Sequence, residues 1–112
     1  MDQPGFQRGL ELFNARHFFD AHEVWEDVWR AAPAEEKLFL QGLIQAAVAL
    51  HHHSRGNLEG ARSLLARAHR NLMKFPESYG GVDLAAVRAA IAGCEHALRS
   101  GATLAPFRIS LA

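Results

Sequence analysis

The stretch LFLQGLIQAAVAL, residues 38–50, decides the fold because it is the most apolar part of the chain. Its leucines, isoleucine, valine and alanines cover almost the whole circumference of a helix, and a helix that is apolar all round lies buried among its neighbours. The stretch is shorter than the roughly 20 residues that span a bilayer, and two glutamines interrupt it. We therefore predict the central helix of a soluble protein that makes no contact with a membrane.

The rest of the chain is also typical of helix, since alanine and leucine dominate and no run alternates between apolar and polar residues. Stop signals at Gly56 and Gly101 and capping residues at Asn57 and Asp83 help to divide it. The predicted helices cover about residues 4–15, 18–31, 33–55, 58–74 and 84–99. The remaining segment, ATLAPFRISLA, is too apolar to lie free in water, so we expect it to cover the bundle or a neighbouring subunit.

The sequence of the second predicted helix is echoed in the fourth, at an offset of about forty positions. The aligned pairs are Phe18 with Leu58, Ala21 with Ala61, Trp25 with Leu65, and Val28 with Ala68. An alanine followed by large residues four and seven positions later is typical of the second helix of a tetratricopeptide hairpin. We therefore predict an all-α fold, a compact five-helix bundle of two antiparallel tetratricopeptide-like hairpins plus a C-terminal helix. It forms one domain over residues 1–112, with a core at 4–99 and a tail at 102–112.

Composition argues against several classes of partner. Twelve basic residues balance twelve acidic ones, so no net charge attracts nucleic acid or an anionic membrane. Cys94 is the only cysteine and has no partner for a disulfide or a zinc knuckle, so we expect a small buried side chain. The start of the chain lacks the long apolar core of a secretory signal, and we expect a cytoplasmic protein.

Two polar stripes interrupt apolar helix faces. In FFDAHEVWEDVWR, residues 18–30, His22 and Glu26 lie one helical turn apart among aromatic side chains. On the predicted central helix, three polar residues fall within about 40° of one another: Gln41, Gln45 and His52. Because burial of an unpaired polar group is costly, we expect the two stripes to face each other in a dry seam between the second and third helices.

One of these stretches carries a resemblance. HEVWEDVW, residues 22–29, fits the pattern H-x-x-x-E-x-x-[W/Y] of an uncharacterised family of small helical proteins from bacteria and archaea. Residues 39–61 resemble the second block of that family, residues 13–23 resemble its approach to the first, and the likeness covers about residues 6–75. The resemblance implies a metal-binding role for the histidine and glutamate but no activity. His51 stands where the family commonly has an aromatic residue, so the role of the second block is carried to His52.

Three interpretations of the seam stay open. In the first, His22, Glu26 and His52 bind one divalent metal ion of undefined identity, with Gln41 and Gln45 orienting them, and any reaction is hydrolytic. In the second, the polar groups form a structural network inside a tetratricopeptide-like interaction module or a homodimer that associates through the apolar tail. In the third, they line a pocket for an organic ligand, to which Trp25 and Trp29 contribute; otherwise both tryptophans belong to the core.

Overall fold

The computed structural model describes residues 1–112. Its helices and strands are α1 Gln3–Asn14, α2 Phe18–Ala31, α3 Ala34–Ser54, α4 Leu58–Leu72, β1 Ser78–Tyr79, β2 Val82–Asp83 and α5 Leu84–Ser100. Every predicted helix is present with bounds that differ by at most two residues, and the all-α class is confirmed. The two short strands, which pair antiparallel between α4 and α5, were not predicted.

Side chains at the helix ends account for these boundaries. Asn57 accepts a hydrogen bond from Gly60 N at 2.9 Å, and Asp83 accepts one from Ala86 N at 3.1 Å. Each therefore satisfies one of the backbone N–H groups that have no partner in the first turn of a helix. Gly56 and Gly101 take left-handed φ angles of 78° and 74°, which end α3 and α5 at little steric cost. The predicted caps and stops are confirmed at all four residues.

Consecutive helices pack on each other along the chain, from α1 on α2 to α4 on α5. The helix α3 packs against both α2 and α4 and contributes buried residues around most of its surface, which confirms its central position. On the first hairpin, α1 approaches α2 closely because Gly9 lies under the indole of Trp25. A Cβ atom at this glycine would stand 2.1 Å from Trp25 Nε1. A side chain at residue 9 is therefore incompatible with the observed packing.

The tail, residues 102–112, leaves α5 at Gly101 and crosses to the end of α1. Leu104 and Ile109 are each 3% exposed, and the ring centroid of Phe107 lies 5.4 Å from that of Phe13. At its end the tail forms an isolated antiparallel bridge with β2, between Leu111 and Val82. The apolar tail thus covers its own bundle, which is one of the two positions expected from the sequence.

None of the helices combines the length and the apolar composition that a bilayer crossing requires.

Candidate functional site

The site begins with a histidine and a glutamate on α2. This helix starts directly after a tight turn at residues 15–17 and ends before Pro33, so His22 and Glu26 both lie in its regular middle part. Residues four apart project from the same side of a helix. The ring nitrogen His22 Nε2 lies 2.9 Å from Glu26 Oε1, so the predicted pairing of these side chains is present.

The other ring nitrogen fixes the orientation of the imidazole. His22 Nδ1 lies 3.0 Å from the backbone carbonyl oxygen of Phe19, which can only accept a hydrogen bond. Nδ1 must therefore carry the hydrogen, and in the neutral ring the lone pair of Nε2 is directed at the carboxylate of Glu26. The lone pair of Nε2 and the carboxylate oxygen then repel each other. A proton on Nε2, or a cation bound by both groups, removes this repulsion.

The pair lies at the rim of the bundle. The side chain of His22 is 17% exposed and that of Glu26 is 41% exposed. Arg30, one turn further along α2, places Nη2 3.6 Å from Glu26 Oε2 and also pairs with Asp27. The carboxylate therefore has a histidine on one side and a guanidinium on the other, and it remains accessible to solvent.

The predicted dry seam is wrong. No polar or charged residue of the chain is buried, and Gln41 is exposed. The two glutamines of the α3 stripe lie along the edge of its contact with α2, where Gln41 is exposed and Gln45 is half-buried. Water therefore solvates these groups, and the cost of burying them does not arise.

Along this edge runs an open groove of about 320 Å³ between α2 and α3. It is lined by Glu26, Trp29, Arg30, Gln41, Ile44 and Gln45. The structure thus brings four of the predicted site residues to one groove, although not to a buried seam. Gln45 is oriented by α4, because its Oε1 accepts a hydrogen bond from Asn71 Nδ2 at 2.8 Å.

Trp29 lines this groove and has an unusual environment. Its indole Nε1 is buried and has no hydrogen-bond partner. The ammonium Nζ of Lys37 lies 4.3 Å from the ring centroid, in cation–π contact, and donates to the backbone oxygen of Arg30. A buried N–H without a hydrogen-bond partner lowers stability. Packing of the indole alone therefore does not explain why a tryptophan stands at this place beside an open groove.

Two predicted site residues lie elsewhere. His52 Nδ1 lies 3.3 Å from Asn57 Nδ2 at the start of α4, so its ring is held by the α3–α4 turn. No three His, Cys, Asp or Glu side chains of the chain are grouped so that they could hold a metal ion. Trp25 is fully buried, and its Nε1 donates to the carbonyl oxygen of Phe6 at 3.2 Å, which makes it a core residue.

Sequence reasoning missed a second histidine–glutamate pair. His69 Nδ1 on α4 lies 2.6 Å from Glu95 Oε1 on α5, and both side chains are partly buried. No spacing along the chain could have indicated it, because the two residues meet only through the packing of two helices.

The adjacent Cys94 is buried, as predicted. Desolvation by burial and, to a smaller degree, the charge of Glu95 raise the pKa of its thiol, which disfavours the reactive thiolate.

Two uncharacterized bacterial proteins are similar to this chain. The uncharacterized protein YpuF of Bacillus subtilis (strain 168) is 41% identical over 64 residues, which cover 56% of this chain and 37% of that protein. An uncharacterized protein of Aquifex aeolicus (strain VF5) is 35% identical over 93 residues, 76% of this chain and 28% of that protein. The chain therefore spans only about a third of the length of these curated relatives. Residues 6–64, which include all of α2 and α3, match the family model described as a domain of unknown function (DUF309), and the chain belongs to that family.

Proposed function

We propose that this protein binds one divalent metal ion at His22 and Glu26, and that the groove between α2 and α3 receives the remaining ligand of that ion. The proposal depends above all on one observation, the orientation of His22. Its Nδ1 faces the carbonyl oxygen of Phe19 at 3.0 Å while its Nε2 lies 2.9 Å from Glu26 Oε1. A histidine that binds a metal commonly donates its other ring N–H to a backbone carbonyl or a carboxylate.

The donor set suits such an ion. Imidazole nitrogen and carboxylate oxygen together bind zinc, manganese and iron, whereas calcium and magnesium prefer oxygen ligands alone. Two protein ligands leave several coordination positions open, as in catalytic rather than structural sites. When bound, the ion would supply Lewis-acid chemistry for a hydrolytic step. Arg30 and Gln41 line the adjacent groove and are suited to orient a polar substrate there.

The ligand set of this proposal is smaller than the one predicted from the sequence. His52 is left out because its Nδ1 lies 3.3 Å from Asn57 Nδ2 and no third ligand is grouped with His22 and Glu26. A site with two protein ligands binds more weakly than one with three, and it depends on water or substrate for the rest of the coordination shell.

We further propose a cytoplasmic location, where a single unpaired cysteine such as Cys94 is ordinary.

Calorimetric titration of tag-free protein with zinc and with manganese tests this function. We expect one equivalent of at least one of these ions to bind the wild type, and His22→Ala and Glu26→Gln each to abolish binding. The control is a His51→Ala, His53→Ala double variant, because consecutive histidines can bind metal adventitiously at the end of α3. Metal binding that persists in His22→Ala and disappears in the control would refute the proposal.

A second candidate is a non-catalytic interaction module of tetratricopeptide-like hairpins in which the pair is structural. One observation favours it: His22 and Glu26 already have partners within their own helix, in the Phe19 carbonyl and Arg30. Under this alternative, no metal binds, and His22→Ala lowers the melting temperature of metal-free protein. Under the metal proposal, the same variant has little effect on the metal-free protein and removes the stabilisation that added metal provides.

A further inference from the structure

The surface that holds the tail is built from three elements, and we name it the tail groove: the C-terminal end of α1, the outer side of α5 and the edge of β2. The strand β2 runs directly into α5, whereas the extensive helix contacts run between consecutive helices and do not join α1 to α5. The tail is the segment that connects the first helix to the last. Its contacts are therefore those of an extended segment bound in a groove on the folded domain.

Most of the polar contacts in this groove are made to the tail backbone. The side chain of Asn14 binds both backbone groups of Ile109: its Nδ2 donates to the carbonyl oxygen at 3.0 Å, and its Oδ1 accepts from the N–H at 2.8 Å. The β2 edge adds a hydrogen bond from Asp83 N to Ser110 O at 2.9 Å. Ala112 N donates to Gly81 O at 2.9 Å as well. Backbone hydrogen bonds of this kind hold an extended strand with little regard to its sequence.

Side-chain contacts supply the selectivity. Leu104 and Ile109 are buried, and Phe107 packs against Phe13, so apolar residues of the tail occupy separate places along the groove. Open space remains on both sides of the tail, with grooves of about 390 and 410 Å³ beside α1 and α5. Backbone pairing combined with spaced apolar anchors is the mode by which proteins bind extended peptides.

The connection between α5 and the tail would allow the tail of a second chain to occupy this groove. Gly101 has a left-handed φ of 74°, and the two residues after it, Ala102 and Thr103, are exposed. Rotation about these residues would release the tail without disturbing α5. Every contact that the groove makes with the tail of its own chain is equally available to the identical tail of a second copy.

We propose that residues 102–112 exchange between two copies of this chain, so that each tail fills the tail groove of the other and a dimer forms. The two states differ only in which chain supplies the tail, and the monomer is favoured at low concentration because a tethered segment has a high effective concentration. The dimer accordingly increases with protein concentration. The exchange is independent of the metal site, since it uses none of the residues of the α2–α3 groove.

A disulfide trap tests the exchange, because Cys94 lies at the bottom of the tail groove and its Sγ is 3.9 Å from the backbone oxygen of Ala105. In an Ala105→Cys variant, the bond to Cys94 lies within one chain when the tail is in place, and it joins two chains after exchange. We expect, after equilibration and oxidation, a covalent dimer on a non-reducing gel whose share rises with protein concentration. Only intrachain bonds at every concentration would overturn the proposal.

One control makes the assignment of the covalent dimer to tail exchange specific. Residue 105 is exposed, so a bond between two introduced cysteines would also give a dimer. A Cys94→Ala, Ala105→Cys double variant retains that side reaction and must lose the exchange product. A covalent dimer that is equally abundant in the double variant would contradict the proposal.

A second measurement covers the case in which the introduced cysteine does not react. Ile109→Asp removes one anchor of the tail but leaves the groove unchanged, so a labelled peptide of residues 102–112 should bind this full-length variant at least tenfold more tightly than the wild type. Addition of Asn14→Ala to Ile109→Asp should abolish peptide binding. Equal affinity for the wild type and Ile109→Asp would show that the groove does not take a tail in trans.

Discussion

The two helical hairpins α1–α2 and α3–α4 have the same backbone turn but build it from different residues. In the first, the left-handed residue is Arg16 with φ 67°, and in the second it is Gly56 with φ 78°. The following amide donates to a carbonyl oxygen five residues back in both turns, from His17 N at 2.8 Å and from Asn57 N at 2.9 Å. The offset of forty residues that aligns Ala21 with Ala61 also aligns these turns.

The difference between the hairpins lies in how well each sequence suits the shared geometry. Glycine at the left-handed position and asparagine at the cap make the second turn favourable, while arginine and histidine at the same places make the first less so. His17 forms no side-chain cap on α2. The first hairpin also carries His22 and Glu26, whose counterparts are Arg62 and Ala66. The turn residues that suit the shared geometry less well, Arg16 and His17, therefore lie in the hairpin that contains the candidate site.

The largest change in the free energy of unfolding is expected where the two hairpins pack different residue pairs between their helices. The first places a glycine, Gly9, under a tryptophan, Trp25; forty residues later the second has Ala49 and Leu65, both fully buried. We expect Gly9→Ala to lower the free energy of unfolding by about 3 kcal/mol, because the new Cβ overlaps the indole and displaces its hydrogen bond to Phe6. Urea denaturation measures this loss.

A double-mutant cycle connects this loss to the specific overlap. In Gly9→Ala, Trp25→Leu the first hairpin takes the residue pair of the second, and the smaller side chain leaves room for the Cβ atom. The double variant should be more stable than the sum of the two single changes predicts, by roughly 1 kcal/mol or more. Strict additivity would show that Gly9 is required by something other than Trp25.

The comparison also explains how far the sequence alone could lead. Caps and stops such as Asn57 and Gly56 act within a few residues, so helix boundaries could be predicted from local chemistry. The pairing of His22 with Glu26 also follows from helix geometry. The depth of burial could not be predicted, because the angular position of Gln41 on α3 does not determine how far a neighbouring helix covers it. The pair of His69 with Glu95 depends on how α4 packs on α5, which no spacing along the chain encodes.

The second prediction exchanges the left-handed residues of the two turns. A non-glycine residue in this conformation costs about 1–2 kcal/mol, which the greater flexibility of glycine in the unfolded chain offsets by about 0.5–1 kcal/mol. Arg16→Gly should therefore raise the free energy of unfolding by up to about 1 kcal/mol. Gly56→Arg should lower it by a similar amount, since no atom lies within 4 Å of the position of its Cβ and only the backbone is strained.

Melting temperatures of the two variants, measured at one protein concentration, check this exchange. Arg16→Ala is the matched control for the first turn, because alanine retains the strain of the left-handed conformation and removes only the side chain of arginine. Stabilisation by alanine as large as that by glycine would show that the arginine side chain, and not its backbone, is unfavourable.

The smallest predicted effect concerns the caps of α2 and α4, and it tests whether the hairpins differ by sequence alone. Asn57→Ala removes the acceptor for Gly60 N and should lower the free energy of unfolding by about 1 kcal/mol. Asn57→Asp keeps an acceptor there and should retain most of the stabilisation that the cap provides. His17→Asn should supply the missing acceptor to α2 and stabilise the protein by about 0.5–1 kcal/mol. Chemical denaturation measures all three. Because His17 and Asn57 have the same place in the same turn, a gain at the first that matches the loss at the second would show that the weaker turn of the candidate-site hairpin results from its residues. No gain from His17→Asn would mean that the backbone geometry of the first turn, and not its side chain, prevents the cap.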